Sequence, residues 1–191
     1  MLPTREEAER LLEEANQMNP GLWRDHSRLA AVCAEKIAAR CLGMEPEKAY
    51  VLGLLHDIGR KEGVTGLAHV IDGYHFLERL GYMEAARICI THSFPIKDLS
   101  LYIGEADVTE EEHREIEGLL AGYEYDDYER LIQLCDSLAM ADGTIEMKKR
   151  MDDVERRHGA YPEAKRQAFY NLKTYFDGKA GMDLYPVLRA S

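Results

Sequence analysis

The chain has 191 residues, 46% apolar and 31% charged, with a formal net charge of −11; that length supports one domain with a sizeable core. The acidic balance works against binding to phosphate-rich polymers, so no nucleic acid is expected and small substrates come first. The N-terminal segment turns charged almost at once, and no apolar run nears the length of a membrane span; a cytoplasmic protein with no membrane partner is expected.

Helix signals dominate from the first residues. Thr4 and Glu7 have capping-box spacing and open a first helix, which Asn19–Pro20–Gly21 closes. A second helix is expected from about Asp25 to Arg40, with Gly43 beyond its end. Pro46 stands near the start of a third, predicted to end at Gly59. "GLAHVIDGYHFLERLG" and "YMEAARICITHSF" read as two more, divided by Gly81. Asp98–Gly104 has some strand character and is assigned to a loop. Thr109 and Glu112 repeat the capping-box spacing ahead of "EEHREIEGLLAG". "DDYERLIQLCDSLAMADG" is a strongly apolar helix with acidic residues at its start, which suits the helix dipole. Two later helices, roughly 144–157 and 161–177, carry alternating charges and are expected to be peripheral.

No repeat, low-complexity tract or linker interrupts the pattern. The expected fold is all-α, a single-domain helical bundle over residues 1–191. The four cysteines, Cys33, Cys41, Cys89 and Cys135, show neither CxxC pairing nor regular spacing. Each sits in a predicted helix among apolar neighbours, so buried free thiols are expected.

Seven histidines punctuate this sequence. His113 and His158 lie in charged surroundings and read as surface residues. The other five lie in or beside apolar helical segments, where an imidazole needs a partner. His26 opens the second helix ahead of Leu29, Ala30, Cys33 and Ile37. His56 and Asp57 end the apolar run of the third helix, in "LGLLHDIGRKEG". Neighbours in sequence do not share a helix face, so one ion can take both only near a helix end. His69 begins the next helical segment and His92 ends the one after. Asp136 interrupts "LIQLCDSLAM", where a buried carboxylate without a partner is costly. Helix bundles build metal sites from such inward-facing side chains. Imidazole and carboxylate without thiolate suit Fe, Mn, Co, Ni or Zn.

Placed in chain order, these residues resemble the HD superfamily of metal-dependent phosphohydrolases, in its small single-domain "HDIG" form. The similarity runs over roughly residues 20–142 and rests on His26 in "RDHSRLAAVCAEKIA", His56–Asp57 in "GLLHDIGR" and Asp136 in "LIQLCDSLA". It implies a metal-binding core over that stretch and a first ion held by His26, His56, Asp57 and Asp136. Some members add two histidines and a second ion, with the doublet's aspartate bridging. Here "HVIDGYHFL" and "ICITHSFP" are similar to those segments and offer His69 and His92. The GYP motif and the second histidine doublet of the HD-GYP proteins are absent, so cyclic-di-GMP hydrolysis is not favoured.

The resemblance implies water activated by one or two divalent ions, with Asp57 between them, attacking the phosphorus of a small phosphorylated substrate. Arg60 and Lys61, directly after the doublet, are the nearest cations for phosphoryl oxygens; Lys97 is a weaker candidate. Asp72 and His75 are candidates to orient a ligand or move a proton, against the plainer reading of an exposed face. Asp142 is the lesser rival of Asp136. Two alternatives stay open: a di-iron HD-type oxygenase with the same ligands, and a metal-stabilised binding module without activity. Substrate, metal and oligomeric state are not written in the sequence.

Overall fold

The computed structural model describes residues 1–189 and is all-α apart from one hairpin of two two-residue strands. The helices are α1 (Arg5–Met18), α2 (Trp23–Ala38), α3 (Pro46–Leu55), α4 (Ala68–Arg79), α5 (Met83–Thr91), α6 (Glu110–Gly122), α7 (Asp127–Leu138), α8 (Met147–His158), α9 (Glu163–Ala180) and α10 (Leu184–Arg189). The last two residues of the expected 1–191 unit lie outside the described residues. No helix among them is long and apolar enough to cross a membrane.

Helix α3 is the centre of the bundle. Every residue from Ala49 to Leu55 is buried, the mark of a helix enclosed on all sides. It packs against α1, α2, α5 and α7. The closest approach is to α2, where a Cβ on Gly53 would stand 2.8 Å from the Ala31 Cα. Leu12, Ile37, Leu52, Leu54, Leu55, Ile58, Leu77 and Ile88 fill the core around it. Each such side chain contributes about 1.5–3 kcal/mol on burial. The four cysteines are buried and free, as their surroundings implied.

The helix starts follow the capping signals. Thr4 accepts from the Glu7 amide, Thr109 and Glu112 form a reciprocal box, and Asp126 does the same with Glu129 at the head of α7. Two helix ends differ from expectation. Helix α3 stops at Leu55 instead of Gly59, because residues Ile58–Glu62 tighten into a 3-10 turn. Helix α7 stops at Leu138, and Ala139–Met140 pairs antiparallel with Gly143–Thr144. The segment expected as a loop, Asp98–Gly104, holds only a 3-10 turn at Leu99–Leu101.

Helices α8 and α9 stand outside the ligand-bearing core and pack on α7. Their charged faces meet solvent, yet Met147, Met151, Phe169 and Phe176 turn inward and are buried. That inward face becomes one wall of a cavity.

Candidate metal centre

Five segments bring the candidate ligands together. His26 comes from the first turn of α2, His56 and Asp57 from the junction of α3 with the 3-10 turn, His69 from α4, His92 from the end of α5, and Asp136 from α7. His26 and Asp136, separated by 110 positions, meet at 3.0 Å between Nε2 and Oδ1. His56 Nε2 lies 3.2 Å from His26 Nε2 and 3.7 Å from the same Asp136 oxygen. Across Asp57, His69 Nε2 and His92 Nε2 stand 3.2 and 3.6 Å from Oδ1 and 3.3 Å from each other. Two three-residue groups result, His26–His56–Asp57 and Asp57–His69–His92, with Asp57 common to both.

The imidazoles are oriented by the backbone. The Nδ1 of His26 donates to the Ala139 carbonyl, that of His56 to Gly53, that of His69 to Gly66 and that of His92 to Cys89. A carbonyl only accepts, so each ring keeps its proton on Nδ1 and turns an Nε2 lone pair inward. Two lone pairs facing one another at 3.2–3.3 Å repel unless a cation or proton lies between them. Ligand nitrogens about 2.0–2.1 Å from one ion, at tetrahedral or octahedral angles, lie about 3.0–3.4 Å apart. The donors therefore fit divalent transition metals at both groups.

Electrostatics agree with that fit. Burial alone would raise the Asp57 carboxyl, but the neighbouring charges, Arg60 first among them, outweigh it and hold Asp57 well below the usual carboxylate range. Burial acts on Asp136 in the same sense, and the close imidazoles of His26 and His56 outweigh it, holding the carboxyl well below its ordinary range. Burial, reinforced by the Arg60 charge, pushes His69 down to about 3. Burial and the neighbouring His56 take His92 down to about 4. Both rings are therefore neutral, the state a metal requires.

The basic pair after the doublet splits. In a 3-10 turn successive side chains diverge by about 120°, so Arg60 and Lys61 leave in different directions. Arg60 Nε donates to Asp57 Oδ2 at 2.6 Å and lines the cavity. Lys61 pairs with Glu62 and covers the Phe76 ring, so the expectation that it serves the anion site is corrected. Lys97 likewise turns away, bonded to the Tyr123 carbonyl. His75 pairs with Glu115 and Glu78 away from the centre, Asp72 is not among the cavity residues, and Asp142 is exposed in the hairpin turn.

Several contributors carry no signal in the sequence. The cavity, about 610 Å³, is lined by the candidate ligands His26, Asp57, His69, His92 and Asp136 together with Trp23, Tyr102, Tyr161 and Lys165. Asp107, far from every motif, accepts from the amides of Gly66 and Ala68 at 2.6 and 2.9 Å and so caps the start of α4. His69 stands in that first turn. Asp107→Ala is expected to lower stability by about 0.5–2 kcal/mol and to weaken metal binding at His69 about 10–100-fold. A thermal melt and a metal titration check both, and unchanged affinity would confine Asp107 to capping.

A helical fold with two imidazole–carboxylate groups sharing one aspartate defines a class of proteins whose inward side chains can hold divalent metals. The HD domain family model matches residues 23–141, and the chain belongs to the HD-domain family, whose members are mostly metal-dependent phosphohydrolases. No curated protein and no solved structure matches the chain.

Proposed function

We propose that the protein is a metal-dependent phosphohydrolase acting on a phosphate ester of a small metabolite or nucleotide. The observation that carries this reading is the pair of metal-fitting groups joined by Asp57, with Arg60 beside them in the same cavity. His26, His56, Asp57 and Asp136 would hold a first ion and Asp57, His69 and His92 a second. Divalent Fe, Mn, Co, Ni or Zn there supplies water activation near neutral pH and polarisation of a phosphoryl oxygen.

The chain's own residues do the rest. The Nδ1 bonds to backbone carbonyls keep the four imidazoles in the ligating tautomer without rearrangement. Arg60 is placed to meet charge that grows on phosphoryl oxygens, and its bond to Asp57 Oδ2 orients both groups. Trp23 and Tyr102 line the cavity and give it aromatic surface.

Arg60→Ala is expected to lower kcat/KM on a phosphorylated substrate by roughly tenfold to a thousandfold. Metal content stays unchanged, since Arg60 is not a ligand, and Arg60→Lys recovers part of the loss through its charge. The assay is phosphate release from nucleotides and sugar phosphates with Mn, Co or Ni added. No release by the unaltered protein across the panel would overturn the hydrolase reading and favour an oxygenase or a binding module. Full activity in Arg60→Ala would remove Arg60 from the site.

A further inference from the structure

Helix α9 contributes an unusual residue to the cavity wall. Lys165 is 7% exposed, and its Nζ donates to the Leu101 carbonyl at 3.2 Å. An ammonium has three protons to place, and among the described residues no carboxylate is paired with this one. Asp136, the carboxylate whose field reaches it, stands 3.0 Å from His26 and belongs to the metal centre. The Tyr102 ring lies 5.9 Å away, at the outer limit for a cation–π contact. Burying a charge on these terms is costly unless an opposite charge arrives.

Arg150 on α8 lines the same cavity, and its guanidinium also has no paired carboxylate among the described residues. The other arginine of that wall is different. Arg157 is matched by Asp153 at 3.0 Å. Arg60, below, is matched by Asp57. Two uncompensated cations therefore come from the C-terminal helices, while the ligands come from the core.

We propose that Lys165 and Arg150 form a second anion subsite, and that the substrate carries an anionic group, a phosphate or a carboxylate, remote from the phosphoryl group held at the metal centre. This rests on the hydrolase reading for its substrate but on separate residues for its site. A phosphomonoester of a neutral alcohol would leave both cations unmatched. A bisphosphorylated or carboxylated metabolite, or a nucleotide with further phosphates, would match them.

The test is calorimetric binding to Mn-loaded protein of three probe series of graded chain length: alkyl phosphonates, α,ω-bisphosphonates and ω-carboxyphosphonates. At one length a doubly anionic probe is expected to bind at least about tenfold tighter than its singly anionic counterpart. Lys165→Met, which keeps the buried stem, and Arg150→Ala, on the accessible side of α8, should each remove most of that advantage. Neither should change affinity for the alkyl phosphonate. Comparing the two doubly anionic series tells phosphate from carboxylate. Alkyl phosphonate binding without any gain from a second anion would overturn the subsite and leave the hydrolase reading standing. A gain that survives both substitutions would also overturn it. Lys165-dependent binding of doubly anionic probes, with no phosphonate affinity at the metal, would sustain the subsite and count against the hydrolase.

Discussion

Asp57→Ala is expected to yield protein that retains neither metal ion and that releases phosphate at least about a thousandfold more slowly. The reason is geometric. Asp57 is the one residue common to both metal-fitting groups, with Oδ1 facing His69 and His92 and Oδ2 facing His56 and Arg60. Removing it deletes a ligand from each group and leaves Arg60 as an uncompensated cation beside both. Loss of a residue that merely orients a ligand costs about 10–100-fold in metal affinity, so loss of a shared ligand costs more. His92→Ala supplies the contrast, since it touches one group only. It should remove one equivalent and keep the other. Metal analysis of protein purified without chelator separates the cases. If Asp57→Ala kept two equivalents, the bridging role would be wrong. If His92→Ala lost both, the two groups would be a single cooperative site.

Gly59→Ala should damage the protein for an unrelated reason. A Cβ at this position would stand 2.0 Å from the His69 carbonyl oxygen and 2.5 Å from the Gly73 amide nitrogen. Both obstacles are backbone atoms of α4, so no side chain can swing aside. The helix would have to shift, and His69 with it. A destabilisation of about 3 kcal/mol or more is expected, with failure to fold as the extreme. In protein that does fold, the His69–His92 group should bind metal weakly. Gly118→Ala is the control: its Cβ would meet nothing within 4 Å, and within a helix the change should stabilise by about 0.5–1 kcal/mol. Urea unfolding compares the two. A Gly59→Ala protein within about 1 kcal/mol of the parent would show that α4 is less tightly docked than the structure indicates.

The glycine of "HDIG" shows where a sequence stops being informative. As a letter, Gly59 reads as a helix breaker, and the expected end of α3 followed from that. Its backbone is not in the left-handed region, and α3 has already ended at Leu55. What requires glycine is the passage of α4 across the turn. That contact joins segments far enough apart that no local pattern records it.

Local physics was legible in the sequence wherever it was strong. Capping residues marked the starts of α1 and α6, acidic residues the start of α7, and a continuous apolar run the helix α3. The imidazoles and carboxylates set in apolar helices identified six residues that the structure brings to one centre, because a buried polar group without a partner is too costly to be accidental. The reading failed where direction, not identity, decides. Arg60 and Lys61 are equivalent as sequence, and only the 3-10 turn sends one to Asp57 and the other to Glu62. Helices α8 and α9 advertise their charge, and only their packing on α7 shows that Arg150 and Lys165 reach the cavity. Lys165 looks like any surface lysine until Leu101 and Tyr102 enclose it. Residue type is set along the chain, whereas the environment that gives a charge its meaning is assembled by segments that meet only in the folded state.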